Sequence, residues 1–322
     1  MRISFAGGGS DLPPFVPGIP GRVVGSAIDL RVRAIVEPFD RGWVRFELPI
    51  AESTATRSIH DPPSNTVSFR LLEAALAHTG VSDGVYVRIE TDIAPGAGLG
   101  GSAATAVAAL SALRWSVGET STPEAMVREA TTIERERLSL VCGSQDQVFA
   151  ACGGLLDLSF NESGWTNMRR FAADRSFMRG LEEGLLLVDT HVRRVSGEVL
   201  ERVDAGAALA SVETLVASAG EAAQAIEDGS LTRLLAAMRK SAAAKLRRDP
   251  RASALAIELG RRVEGLNVDV IRVCGAGSGG HLLVWAHPDK HASIIDALHP
   301  ATVRRPGLAA HGVCIESVRE KV

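Results

Sequence analysis

Apolar and polar residues alternate in short runs through the first half of the chain and fall into helical spacing through much of the second. Residues 22–38, RVVGSAIDLRVRAIVEP, are rich in Val and Ile and alternate in places, which predicts strand, and WVRFEL at 43–48 continues that character. Residues 66–79 carry apolar positions at helical spacing and stop at Gly80. VYVRIETD at 85–92 alternates again. From Ala103 to Val117 almost every residue is small and apolar, as in a buried helix. Residues 123–137 predict a more charged helix, opened by Ser121-Thr122-Pro123.

Gly153-Gly154 followed by LLDLSF reads as a turn into a strand, and residues 161–179 carry no pattern and read as a connection between halves. LLLVDT at 185–190 is a strand. Residues 196–265, dominated by Ala, Glu, Arg and Leu, are helical with breaks near Asp228-Gly229 and Asp249-Pro250. VDVIRV, a glycine cluster, HLLVWA, a helix from about 288 and GVCIESV close the chain. The fold class is therefore α+β, a strand-rich first half followed by long helices and a small sheet. The expected division is 1–165 and 166–322.

The 322 residues suffice for one large or two medium domains, and 46% apolar with 23% charged residues is ordinary globular composition. Lys plus Arg is 35 and Asp plus Glu 38, a net charge of −3. No basic run is interleaved with aromatics, so nucleic acid and anionic membranes are not expected partners. No window approaches about 18 uninterrupted apolar residues, and the N-terminus lacks signal or transit character. A cytoplasmic protein is expected. Cys142, Cys152, Cys274 and Cys314 show no CxxC pair. They read as small buried hydrophobes, with a reactive thiol near Cys142 and Cys152 as the second reading.

Chemistry concentrates in IETDIAPGAGLGGSAATAVAAL, where a strand runs into four glycines and a helix opens at Ser102. Such a loop brings backbone N–H groups close to phosphate oxygens, and the helix N-terminus adds positive potential. A Walker loop would need a Lys that is absent here. Gly96, Gly98 and Gly101 match GxGxxG, but a further helix follows where a dinucleotide site needs a strand. A glycine turn without a ligand is the remaining alternative.

The segment resembles the second motif of the GHMP kinases, the family of galactokinase, homoserine kinase, mevalonate kinase and phosphomevalonate kinase, which reads Pro-x-x-x-Gly-Leu-Gly-Ser-Ser-Ala. Gly98, Leu99, Gly100, Ser102 and Ala103 match; Gly101 replaces the first Ser, and Pro95 stands one place late, with Ala94 at the motif position. The resemblance implies that Pro95, Gly96, Ala97, Gly98, Leu99, Gly100, Gly101, Ser102 and Ala103 cradle the phosphates of ATP, with Ser102 on Mg2+. Near the N-terminus, Arg2, Gly7, Ser10 and Asp11 align with the first family motif, and Gly8-Gly9 replaces its Glu-His. This implies substrate contact by Gly8, Gly9, Ser10 and Asp11, whose carboxylate can accept two sugar hydroxyls. Arg2 would stabilise charge during phosphoryl transfer. A glycine turn capped by Asp11 is the plainer alternative.

Glu134-Arg135-Glu136-Arg137, then Gln145-Asp146-Gln147, resembles the family's magnesium Glu and catalytic Asp. Glu134 is the implied metal ligand, Glu136 the fallback, and Asp146 the base; an exposed Arg/Glu ladder is the alternative. Cys274–His281 resembles the third, glycine-rich motif, with close approach to the site at Gly277, and a tight hairpin is its alternative. Within the family, RISFAGGGSDLPPF, AIDLRV, IERE, GSQDQVFAACGG and DTHVRRVSGEVL most resemble heptose 7-phosphate kinases and bacterial fucokinases, although Ser144 stands where those relatives often have Lys.

That branch phosphorylates an anomeric hydroxyl, acidic enough for a modest base. Arg193 and Arg194 are candidates for a distal phosphate. The implied activity is a sugar 1-kinase on a heptose 7-phosphate. The alternatives are a fucokinase- or galactokinase-like enzyme on an unphosphorylated sugar, an isoprenoid or amino-acid alcohol kinase, a non-catalytic sugar- or nucleotide-binding protein, and a dinucleotide oxidoreductase. The family fold implies a ribosomal-protein-S5-like N-terminal domain and a ferredoxin-like C-terminal one, with a homodimer left open.

Overall fold

The computed structural model describes residues 1–12, 18–81, 83–192, 205–248, 254–275, 277 and 279–317. The first half runs β1 (Arg2–Ala6), β2 (Gly21–Ala27), β3 (Val32–Pro38), β4 (Trp43–Leu48), β5 (Ser53–Ser58), α1 (Arg70–Thr79), β6 (Val85–Thr91), α2 (Gly101–Ser116), α3 (Pro123–Thr132) and α4 (Gln145–Cys152). It continues through β7 (Leu155–Asn161), β8 (Gly164–Arg170), α5 (Arg175–Glu183) and β9 (Leu185–Asp189). Then come α6 (Ala205–Glu227), α7 (Leu231–Arg248), α8 (Ala254–Arg262), β10 (Val268–Val273), β11 (His281–Ala286), α9 (His291–Leu298) and β12 (Thr302–Arg304). The protein is mixed α+β, and no helix among the described residues is long and apolar enough to cross a membrane.

Three four-stranded sheets organise these elements, in the orders β1-β2-β7-β8, β3-β6-β4-β5 and β10-β11-β9-β12. All pairings are antiparallel except β4 with β6. The almost featureless apolarity of α2 has a physical reason. It packs against α1, α3, α4 and β3 at once, so few of its faces meet water. Val107, Leu110 and Leu113 join Phe149, Leu156 and Leu158 in one core. A second core lies where α6 and α7 cover β1 and β2, uniting Ile3 and Phe5 with Ala222, Leu234 and Met238.

Most strands and helices stand where the periodicity predicts them. Gly80 ends α1 in the left-handed conformation, its N–H donating to Leu76 O at 3.0 Å. Two expectations need correction. Residues 161–179 are not a plain connection: β8 continues a hairpin from β7, and α5 opens at Asp174, whose carboxylate caps Ser176 and Phe177. β8 is illegible because, as an edge strand, it leaves most of its side chains partly or fully exposed and so lacks apolar alternation. The helix predicted over 123–137 is α3 plus a π-helical turn at Ile133–Arg137. The polar STATRS segment forms the edge strand β5.

Leu110 is fully buried on α2. Leu110→Ala is expected to cost about 2–5 kcal/mol in a urea unfolding experiment; a loss well below that would mean the core around α2 relaxes into the gap.

Candidate active site

The glycine loop from Pro95 to Ala103 joins β6 to the start of α2. Gly96, Gly98 and Gly100 take φ of 78°, 76° and 76°. Left-handed residues at every second position are how a loop gathers backbone N–H groups into an anion-binding concavity. Gly100 caps α2 with no side-chain hydrogen bond, so no cap side chain competes for the N–H groups of its first turn. A Cβ at Gly101 would meet nothing within 4 Å, so the space beside the loop is open at the position where the motif has its first serine. α2 leads into α3, not into a strand parallel to β6, so the βαβ unit of a dinucleotide site is absent here.

Two neighbours hold this loop in place. From β1, Arg2 N–H donates to Leu99 O at 3.1 Å and Arg2 Nη1 to Gly98 O at 2.7 Å. From the start of β11, His281 N–H donates to Ala97 O at 3.0 Å, and its Nδ1 lies 3.0 Å from the same carbonyl. Gly280 fits here because its hypothetical Cβ would lie 2.6 Å from Ala97 O. The late glycine cluster thus abuts the Pro95–Ala103 loop directly, and Gly277 lies buried in it with φ 99°.

Arg2 also grips Asp146, in the first turn of α4, in a two-pronged pair: Nε to Oδ1 at 2.7 Å and Nη2 to Oδ2 at 3.0 Å. The Arg2 side chain is 6% exposed and that of Asp146 28%. The carboxylate therefore keeps an edge toward solvent, while the guanidinium beneath it is engaged by Asp146 and Gly98. Each carboxylate oxygen retains a lone pair for a substrate hydroxyl.

Asp11 is buried beside this pair, with Gln145 Nε2 donating to Oδ1 at 2.8 Å. Its Oδ2 has no hydrogen-bond partner among the described residues. Burial, and then the charge of Asp146, raise its pKa. Gly143 makes this approach possible, because a Cβ there would fall 1.7 Å from Asp11 Oδ2. Ser10 is engaged elsewhere: its hydroxyl donates to Arg22 O at 2.9 Å and accepts from Arg22 N–H at 3.0 Å. Gly8 and Gly9 lie next to Arg272 and Arg248. Arg193 and Arg194 lie outside the described residues.

Ser102 and Glu134 are brought together from α2 and the π-helical turn. Ser102 Oγ donates to Glu134 Oε1 at 2.5 Å, and Gln147 Nε2 donates to Oε2. Glu134 is 3% exposed, whereas Glu136 faces solvent, so the widened turn selects Glu134. Burial first, with the charge of Asp146 adding, pushes the Glu134 pKa up to about 7, against the pull of Ser102 and Gln147. Magnesium takes hard oxygen ligands, commonly one or two carboxylates completed by phosphate and water. A hydroxyl and a carboxylate short of positive charge at the mouth of a phosphate loop fit that ion. Cys142 and Cys152 are inert by contrast, since burial pushes their thiols up to about 12 and about 11.

Residues 66–154, which hold the loop, Glu134 and Asp146, match the GHMP kinases N terminal domain. The chain carries a GHMP kinase N-terminal domain. A D-glycero-alpha-D-manno-heptose 7-phosphate kinase from Campylobacter jejuni subsp. jejuni serotype O:2 (strain ATCC 700819 / NCTC 11168) is 24% identical over 226 residues. That match spans 62% of this chain and 61% of the relative. A crystal structure of a D-glycero-D-manno-heptose 1-phosphate kinase from Bacteriodes thetaiotaomicron superposes with TM-score 0.80 at 19% identity, covering 98% of both chains. Streptococcus pneumoniae phosphomevalonate kinase, in complex with phosphomevalonate and AMPPNP, gives TM-score 0.74 at 13% identity over 94% of this chain and 97% of that one. The fold is that of the GHMP kinases throughout.

Within this GHMP-kinase frame, four side chains lack a sequence signal strong enough to assign them. Gln145 and Gln147 flank Asp146 in sequence but hold Asp11 and Glu134. The signal that could find them is the Gln-Asp-Gln spacing itself. His281 departs from the family's glycine pattern and reads as idle, yet it binds the phosphate loop. Arg272 is buried in a strand that reads as plain core.

Glu134→Gln tests the charge balance at this site. The folded pKa lies above the ordinary 4.5, so folding loses stability as pH rises from about 4.5 through about 7. The metal-free variant should unfold in urea like the wild type below that window. Above it, the variant should be more stable by on the order of 2–3 kcal/mol. Equal stability at pH 8 would show that Glu134 carries no burial penalty. Gly101→Ser should fold normally, with stability equal or raised by up to about 0.5 kcal/mol; a lowered Tm would show that the space beside the loop is closed.

Proposed function

We propose that the protein is an ATP-dependent sugar kinase that phosphorylates the anomeric hydroxyl of a heptose 7-phosphate. The observation that carries this reading is the placement of Asp146. Its carboxylate sits at the first turn of a helix, oriented by Arg2, with a hypothetical Cβ of the loop residue Gly100 only 3.2 Å from its Cγ. A base touching a phosphate cradle is the arrangement phosphoryl transfer needs, since positioning and electrostatics supply most of that catalysis. The curated relative supports the heptose 7-phosphate, and the AMPPNP complex of a structural neighbour supports an adenine nucleotide.

In this reading the N–H groups of Gly96–Ala103 bind the nucleotide phosphates and Asp146 accepts the proton of the attacking hydroxyl. Arg2 orients Asp146 and keeps the loop carbonyl of Gly98 facing inward. Asp11 accepts a sugar hydroxyl on its unpartnered Oδ2. Ser102 and Glu134 would hold Mg2+, which when bound neutralises phosphate charge. A more acidic anomeric hydroxyl suits a base already engaged with a guanidinium.

ADP release with Mg-ATP is measured against heptose 7-phosphate, fucose, galactose, mannose, mevalonate and homoserine. Turnover confined to heptose 7-phosphate is expected; turnover of an unphosphorylated sugar alone would replace the substrate, and silence across the panel would refute the kinase reading. Asp146→Asn is expected to lower kcat by about 100-fold or more, consistent with loss of a general base, while ATP still binds. A variant that retains kcat would remove Asp146 from the role of base.

A further inference from the structure

One cation near the substrate loop has no part in the phosphoryl transfer at Asp146. Arg272, on β10, is 2% exposed, and its guanidinium donates to Phe5 O and, at 3.4 Å, to Ser4 Oγ. Among the described residues no carboxylate lies within ion-pair distance of it. Burial draws its pKa down to about 10, with the Cys274 thiol pulling the other way and the charge of Arg2 adding to the fall. A desolvated charge without a counter-ion is costly to a fold, and such a charge is kept where a ligand supplies the missing partner.

The surroundings say which ligand. A Cβ at Gly8 would stand 3.5 Å from Arg272 Nη2, and one at Gly9 would stand 3.3 Å from Arg248 Nη1. Arg248 Nη1 donates to Gly9 O at 2.9 Å, and Lys245, one turn earlier on α7, donates to Gly275 O. Basic residues in a last helical turn have an ordinary use against the helix dipole. That use does not extend to Arg272, which comes from a strand. Arg272 from β10 and Arg248 from α7 thus both stand against the side-chain-free turn Gly7–Gly9, while Lys245 is bound to Gly275 in the late glycine cluster.

Their position along β1 sets the length of the ligand. Arg2 and Ser4 are two residues apart in a strand and share one face, ~7 Å from each other. Arg2 marks the end where Asp146 stands, and Ser4 marks the end where Arg272 stands. We propose that Arg272, with Arg248, forms the subsite for the phosphate monoester end of the substrate, a sugar ring away from the hydroxyl that reacts at Asp146. The inference rests on the sugar-kinase reading for the sugar between the two ends. A guanidinium fork suits a phosphate's paired oxygens, and two such forks suit a dianion.

The test compares wild type with Arg272→Gln, Arg272→Lys and Arg248→Gln, each shown to be folded by the Tm rise that Mg-AMPPNP produces. With saturating Mg-AMPPNP filling the phosphate loop, inorganic phosphate is titrated against chloride at equal ionic strength. The wild-type Tm should rise further, neither Gln variant should respond, and Arg272→Lys should respond in part. No response in the wild type, or an undiminished one in both Gln variants, overturns the subsite whether or not the protein turns over any sugar. In initial-rate assays, the kcat/KM ratio of heptose 7-phosphate to the unphosphorylated heptose should fall roughly 10- to 100-fold in Arg272→Gln, mostly through KM. Equal losses on both sugars would make Arg272 a structural prop and overturn the assignment. A wild type inactive on both would sink the heptose reading, leaving the phosphate titration to decide the subsite.

Discussion

A single guanidinium, that of Arg2, fastens the parts of this site to one another. It stands on the first strand, clasps the carboxylate of Asp146 on α4 and holds the carbonyl of Gly98 in the phosphate loop. Three segments that are far apart in sequence meet through its nitrogens. Breaking a buried pair of this kind typically costs about 3–5 kcal/mol, because the remaining charge is stranded away from water. The geometry follows from burial: Arg2 is buried, and the loop and α4 supply the acceptors to which its guanidinium donates.

Around this anchor the charges are arranged in a graded way. Asp146 is compensated by Arg2, whereas Asp11 and Glu134 are buried with hydrogen bonds but, among the described residues, no cation in contact. Both have raised pKa values for that reason. The site thus stores two unmet demands for positive charge or for hydroxyl donors near the Arg2-paired carboxylate of Asp146. Against Ser4 and Phe5 of β1, Arg272 holds the reverse demand. Such a distribution stabilises a bound, ion-rich ligand at the expense of the empty protein.

Much of this arrangement is legible in the order of residues alone. A strand, four glycines and a helix announce the phosphate loop, because backbone approach to an anion demands those residues in that order. Glu134 and Asp146 are legible through their spacing within a motif. What stays hidden depends on long-range contact. Arg272 sits in VDVIRV, where two polar residues among apolar ones look like ordinary strand alternation. His281 looks like a departure from a glycine cluster, and only the fold shows the carbonyl it meets. β8 and β5 escape because edge strands need no apolar face to be held in a sheet. The turn that selects Glu134 over Glu136 is a change of helical pitch, which side-chain periodicity over five residues does not reveal.

The contact between His281 and Ala97 joins residues 184 positions apart. Residues 66–154 contain the glycine loop, Ser102, Glu134 and Asp146, yet both clamps on the loop, Arg2 and His281, come from outside that stretch. The stretch that looks self-sufficient as a unit of inheritance is therefore not self-sufficient as a machine. A gene fusion or splice that moved it alone would transplant Ser102, Glu134 and Asp146 and leave behind Asp11 and the two fasteners of the loop.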